Sequence, residues 1–179
     1  VLLANAPINK TLRPVREDET VPTGADSEGK PYCSSGSVNF DTTENLYIEG
    51  DNLEALTALT YTHEGKIDVI YIDPPYNRGE KDFKYNDDYV DKENPFRHSL
   101  WLSFMKKRLS IAKSLLKNDG VMIVHIDEHE FDALNILLET EIFTRDNCLG
   151  QIIWNKLNPK GDANAVAIQH EYILLYCKN

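Results

Sequence analysis

The residues whose order could do chemistry are Asp73-Pro74-Pro75-Tyr76, followed by Asn77. They offer a carboxylate, an aromatic ring and main-chain carbonyls, while the two prolines remove backbone donors from the set. Pro74 biases Asp73 towards an extended backbone, and two prolines cannot continue a central sheet ladder. The residues before them, Ile67–Ile72, are apolar and mostly β-branched apart from Asp68. That composition predicts a strand covered on both faces inside a parallel sheet. The motif is therefore expected as a rigid, acceptor-rich turn at the carboxyl end of a buried strand, where open α/β sheets bind ligands. A proline-stiffened loop with a solvated Asp73 is the competing reading. All four residues in this order after such a strand favour the functional one.

Strand–helix units must position that turn. Upstream, Leu46-Tyr47-Ile48 reads as a short strand running into Gly50-Asp51. Asp51 can cap the next helix, Glu54 completes a capping-box pattern, and Leu53, Leu56 and Leu59 line one face. Downstream, residues 78–98 mix both charge signs with Phe83, Tyr85, Tyr89 and Phe96. Such a loop reads as a lid or binding loop, or as a surface flap anchored by its aromatics. From Ser99 to Lys117 the spacing of Trp101, Leu102, Met105, Leu109, Ala112 and Leu116 predicts an amphipathic helix, stopped by Asn118-Asp119-Gly120. Val121 to Ile126 predicts the next buried strand, and Asp127 with Glu130 a second capping box before a helix bearing Phe131, Leu134 and Leu138. Residues 151–155 and 171–177 read as two strands pairing antiparallel at the far edge. One sheet is expected to hold Leu46, Ile70, Ile123, Ile153 and Leu174, with Asp51, Asp73 and Asp127 along a common edge. Residues 1–38 lack periodicity and carry Pro7, Pro14, Pro22 and Pro31, which predicts an extended N-terminal arm ahead of a domain over residues 39–179.

At 179 residues, 41% hydrophobic and 27% charged, the chain suits one domain with a sizeable core. No apolar run approaches membrane-spanning length, so no membrane partner is expected. Cys33, Cys148 and Cys177 show no paired spacing and predict reduced thiols in the cytoplasm. His125 and His129 straddle a strand end and a helix start, so no metal site is expected. The formal charge of −10 argues against this chain gripping DNA strongly by itself. With Val1 in place of an initiator Met, a piece of a longer protein is expected, its basic DNA-reading surface lying elsewhere.

Asp73-Pro74-Pro75-Tyr76 resembles the catalytic motif of amino-methylating DNA methyltransferases. With Asn77 and the run Arg97-His98-Ser99-Leu100-Trp101-Leu102-Ser103-Phe104-Met105, the chain from about Asn39 onward is similar to the modification subunits of type III restriction systems. The resemblance implies a Rossmann-like, doubly wound α/β fold of the S-adenosylmethionine-dependent methyltransferase type. It also implies transfer of a methyl group to adenine N6 of a flipped-out base in double-stranded DNA. Asp73, Pro74, Pro75 and Tyr76 would be catalytic, Asp51 and Asp73 would border S-adenosylmethionine, and Tyr76 and Asn77 would meet the substrate. A restriction (helicase-nuclease) subunit and a second copy of the chain are the implied protein partners. Cytosine-N4 transfer is the alternative within the class, although Ser more often replaces Asp73 there. A non-catalytic nucleic-acid-binding or assembly module retaining the fold is the alternative outside it. Two departures stand out: Arg78 occupies a position where a small residue such as Thr is expected, and no Phe-x-Gly-x-Gly cluster occurs. In members with permuted motif order the glycine-rich half follows later, so this segment is expected to be the catalytic half alone, inactive by itself.

Overall fold

A computed structural model of the chain describes residues 12–16, 20–25, 31–35, 41–79, 83–85, 88–156 and 167–179. They divide between two compact units, Ile8–Ala58 and Leu59–Asn179.

In the first unit, β1 (Thr20–Ala25) and β2 (Pro31–Ser35) form an antiparallel hairpin, Val21 opposite Ser34 and Ala25 opposite Pro31. The predicted arm thus contains paired structure. A two-stranded ribbon consists entirely of edges, so Pro22 and Pro31 can sit in it without losing a central ladder bond. The strand expected at Leu46-Tyr47-Ile48 does not form, and Leu46 and Tyr47 are 69% and 89% exposed. A strand needs a neighbour for its backbone groups, and none of the described strands pairs with this segment. Asp51 behaves as its spacing predicts. Its Oδ1 accepts the backbone N–H of Leu53 at 2.9 Å and of Glu54 at 3.2 Å, opening α1 (Asn52–His63).

The second unit contains β3 (Ile67–Ile72), a short hairpin of β4 (Lys84–Tyr85) and β5 (Asp88–Tyr89), and α2 (Arg97–Leu115). Then come β6 (Leu116–Ile126), α3 (Phe131–Leu137), β7 (Cys148–Asn155) and β8 (His170–Cys177). The main sheet has the order β3-β6-β8-β7; β3 and β6 are parallel, and β8 runs antiparallel to both β6 and β7. The last two strands therefore pair at the far edge as expected, within a mixed sheet.

The core lies on one face of this sheet. The α2 stripe Trp101, Met105, Leu109, Ala112 and Leu115 is buried, as are Met122, Val124 and Ile126 of β6, Leu174 and Tyr176 of β8, and Leu134 and Leu137 of α3. Burial on β6 alternates with period two, leaving Val121, Ile123 and His125 half-buried on the other face. The register sets Val69 beside Val121 and Tyr71 beside Ile123 on that same face, where the two are 55% and 56% exposed. The strand predicted to be covered on both faces is thus the sheet's edge, open on one side. Its apolar sequence records what the strand is suited to, not what covers it here.

Two local expectations fail for steric and hydrogen-bonding reasons. Asn118-Asp119-Gly120 does not stop α2, which ends at Leu115, but lies within β6. The β3–β6 register jumps from Ile67–Leu116 to Val69–Val121, so residues 117–120 bulge. A Cβ on Gly120 would come within 2.9 Å of the Ile67 carbonyl oxygen, so glycine serves a close backbone approach. The second capping box is also absent: no side chain caps α3, and the helix passes into a π turn over Leu138–Ile142. In the long loop, Phe83 and Val90 are buried, and Phe83 meets Phe104 of α2 edge-on with centroids 5.2 Å apart. No helix among the described residues is long and apolar enough to cross a membrane.

If the α2 stripe is the core, Leu109→Ala should cost about 2–5 kcal/mol of stability in urea unfolding. Lys106→Ala, which removes only an exposed ion pair with Glu141, should cost less than about 1 kcal/mol. Equal losses would show that the stripe does not carry the packing.

Candidate functional site

β3 ends directly at the motif. Asp73 is exposed there, and Pro74, Pro75 and Tyr76 are half-buried. Ile72 is in register with Val124, so Asp73 and Asp127 leave adjacent parallel strands at the same carboxyl edge. Asp51 belongs to the other unit, where it lines a cleft of about 240 Å³ with Leu12, Glu49 and Glu54.

A turn poor in donors has to be held by donors from elsewhere. Trp101, buried in the α2 stripe, donates its Nε1–H to the Pro75 carbonyl at 2.7 Å. Asn77 takes the left-handed conformation at φ 56°, a region open to Asn at small cost, and its side chain is fully buried. Its Nδ2 donates to Glu130 Oε1 at 2.5 Å and to the Arg97 carbonyl at 3.3 Å. His98 Nδ1 lies 2.7 Å from the same Glu130 oxygen. Burial pushes the Glu130 carboxyl above the usual carboxylate range, although Asn77 and His98 pull the other way. Asn77 Oδ1 and Glu130 Oε2 are buried without a hydrogen-bond partner. Asn77 therefore braces the turn, and its side chain offers no surface for the substrate contact expected of it. Glu130, read from sequence as a capping residue, is the buried anchor. Only its separation from Asn77 by 53 residues hid that role.

Tyr76 and Arg78 sit on the open side of the turn. Burial, then a hydrogen bond to Asp73 and the charges of Asp73, Glu171 and Asp127, raise the Tyr76 phenol above its ordinary value. The hydroxyl therefore stays protonated. The ring of His125 lies 6.3 Å from that of Tyr76, and His125 Nδ1 is 3.3 Å from the Tyr71 hydroxyl. Arg78 Nε donates to Asp127 Oδ2 at 2.7 Å, and Nη2 lies 3.5 Å from Glu171 Oε1. Glu171 also pairs with Lys156 and, through Oε2, with His125 Nε2 at 3.1 Å. The sequence carried no signal for Glu171 beyond its place at the start of a strand.

Asp127 is buried, and burial alone would raise its carboxyl. The backbone N–H of His129 and the Arg78 guanidinium outweigh that and hold it below the ordinary range. Asp127, Glu128 and His129 offer ligand atoms within 4.8 Å of one another, but Asp127 already accepts from Arg78 and from the His129 backbone, which is the pattern of an ion-pair network. Beside it opens a cleft of about 490 Å³ lined by Arg78, Lys92, Arg97, Lys156, His129 and His170 together with Asp127 and Glu128. The local balance there is more basic than the net charge of −10 suggests.

A depressed carboxyl contributes stability above its unfolded pKa and loses it as pH falls through the folded one. The Asp127 contribution should thus be present above about pH 3.8 and vanish below it. Thermal unfolding followed between pH 6 and 3 should show a shallower acid limb in Asp127→Asn than in the parent. Parallel limbs would remove Asp127 from the account.

A family model described as DNA methylase matches residues 67–179. Over 160 residues the chain is 36% identical to the Mod subunit of the type III restriction-modification enzyme EcoP15I of Escherichia coli, covering 76% of this chain and 24% of that protein. It is 44% identical over 159 residues to the probable type III HindVI Mod subunit of Haemophilus influenzae, covering 86% and 20%. The chain thus spans about a quarter or less of the length of these relatives. Among solved structures, the PvuII DNA methyltransferase, described as cytosine-N4-specific, matches with TM-score 0.52 at 14% identity, over 74% of this chain and 48% of that one. TTHA0409 of Thermus thermophilus, described as a putative DNA modification methylase, matches with TM-score 0.51 at 16% identity, over 72% and 51%. The family match begins with the first residue of β3, the strand that delivers the motif, and continues to Asn179; the chain belongs to the DNA methylase family and carries part of its Rossmann-like fold.

Proposed function

We propose that the protein is a site-specific DNA methyltransferase moving a methyl group from S-adenosylmethionine to N6 of an adenine flipped out of duplex DNA. It would be the modification component of a type III restriction-modification system. The observation that carries this reading is the braced turn, with Asp73 exposed at the sheet's carboxyl edge and Tyr76 beside it. The adenine N6 lone pair is delocalised into the ring, so the amine is a poor nucleophile. Acceptors on both its hydrogens favour a pyramidal nitrogen with the lone pair aimed outward. The Pro75 carbonyl is already engaged by Trp101, which leaves the Asp73 carboxylate and the Pro74 carbonyl as the acceptor pair. Their fixed placement does the work by positioning and electrostatics. Tyr76 gives the extruded base a ring to stack on.

S-adenosylmethionine, when bound, supplies the methyl electrophile, and the acceptor-rich turn with exposed Asp73 suits one wall of a site for a sulfonium. Asp51 is proposed as a second acidic contact. The amine's proton can leave after transfer, so Asp73 need not act as a strong base. Asp rather than Ser at position 73 favours adenine over cytosine-N4 chemistry. The cations of the cleft beside Asp127 support contact with nucleic acid phosphates. A restriction subunit and a second copy of the chain are proposed as partners from the likeness to type III Mod subunits, and the cytoplasm as the location.

In the full-length protein, Asp73→Ala should lower methyl transfer by at least about 100-fold. Tyr76→Ala should lower it by roughly 5- to 150-fold, the equivalent of one lost stacking partner. Radiolabelled cofactor gives the rates, and mass analysis of the nucleosides identifies the product. Near-normal turnover by a folded Asp73→Ala variant, or N4-methylcytosine as product, would refute the assignment.

The segment Val1–Asn179 alone should bind S-adenosylmethionine with a Kd weaker than about 1 mM, because one wall leaves most of the ligand in water. Titration calorimetry on this segment is the measurement. Micromolar binding would mean that these residues hold a complete pocket.

A further inference from the structure

Arg78 stands where the family resemblance leads one to expect a small residue such as Thr, and three observations give it work to do. Its Cζ lies over the Tyr76 ring, 4.9 Å from the centroid. Its guanidinium is pinned from the other direction by two carboxylates: Asp127 at 2.7 Å from Nε and Glu171 at 3.5 Å from Nη2. Those carboxylates are 1% and 10% exposed, and they come from the end of β6 and the start of β8, so the sheet itself sets their positions. A planar, weakly hydrated guanidinium held this way can stack on a ring while its N–H groups stay satisfied in the ring plane's surroundings. A lysine's ammonium would reach the carboxylates as a point charge and cover less of the ring.

We propose that Arg78 is a positioning residue for Tyr76, covering one face of its ring so that the flipped-out base meets a fixed plane on the other face. This rests on the methyltransferase reading above. Left alone, a tyrosine on a surface turn can swing about its first side-chain torsion, and each excursion removes the stacking plane. With one face covered by a cation anchored to the sheet, and the His125 ring tilted 6.3 Å away, the Tyr76 ring is held to one orientation. The base is then stacked at the height that brings its amine to Asp73, three residues before Tyr76 on the same turn. The ion pairs with Asp127 and Glu171 are thereby connected to the reacting amine through a single ring.

A kinetic double-mutant cycle in the full-length protein tests this, with Arg78→Met, Tyr76→Ala and the double variant. Single-turnover methyl transfer should fall about tenfold in Arg78→Met, with DNA affinity changed less than about twofold, since one lost cation–π contact is of that order. In the Tyr76→Ala background the same substitution should change the rate by less than about twofold, because its means of action is gone. With 2-aminopurine at the target position, the flipped base should fluoresce more strongly in Arg78→Met than in the parent, reporting lost stacking. Arg78→Lys should restore part of the rate. Additive losses in the cycle would overturn the proposal, showing that Arg78 acts on the substrate directly, as would a folded Arg78→Met variant with parental rate and fluorescence. Should Arg78→Met fail to fold, the Arg78→Lys cycle reads the same coupling, with additivity again decisive against it. A parent protein that transfers no methyl group would remove both this proposal and the function it rests on, whereas an active parent with an additive cycle removes this one alone.

Discussion

The site depends on a carboxyl group, that of Glu130, folded away from the surface. Glu130 is fully enclosed; its Oε1 meets the Asn77 amide and the ring of His98, while its Oε2 has no hydrogen-bond partner. Taking a carboxylate out of water costs several kcal/mol unless hydrogen bonds replace the lost hydration, and removing one partner exposes that cost. Here the compensation comes from the turn that must be held. A segment with two prolines cannot secure itself through backbone donors, so its shape is imposed by Glu130, Arg97 and Trp101 from outside. Asn77 is the link: it adopts the left-handed backbone that ends the turn and sends its side chain inward.

From that anchor the turn faces two environments. Its inner side joins the core through Trp101, in the same stripe as Met105 and Leu109. Its outer side presents Asp73, Tyr76 and Arg78 to the open edge, where adjacent parallel strands finish. The division explains why so many charged side chains can gather beside an apolar strand. Asp127 is held by Arg78 and His129 and Glu171 by Arg78 and Lys156, while His125 Nε2 lies 3.1 Å from Glu171 without a hydrogen bond; the remaining cations line the neighbouring cleft. Net charge describes long-range behaviour; what a phosphate meets within a Debye length is this local arrangement.

The sheet has a less settled side. β3 is an edge strand whose outer face exposes Val69 and Tyr71, and edges of that kind are usually covered or blunted in stable proteins. The fold matches only about half of the solved methyltransferases it resembles.

By itself the sequence determined the features that local physics controls. The period of the α2 stripe, the capping of α1 by Asp51, the antiparallel pairing of the last two strands and the abrupt stop at Asp73 all follow from side-chain spacing, capping groups and proline geometry over a few residues. Tertiary structure decided whatever required a partner distant in the chain. Leu46-Tyr47-Ile48 has strand-like composition but no ladder neighbour, so it stays irregular. Ile67–Ile72 reads as doubly buried because its side chains are apolar, yet burial depends on what packs against it. Asn118-Asp119-Gly120 looks like a helix stop, and only the approach of the Ile67 carbonyl shows why glycine is there. Glu130 and Arg78 lie 53 and 49 residues from the groups that give them their roles, distances over which no local pattern carries information. Periodicity records which face a residue can show; contact between remote strands records which groups it must satisfy.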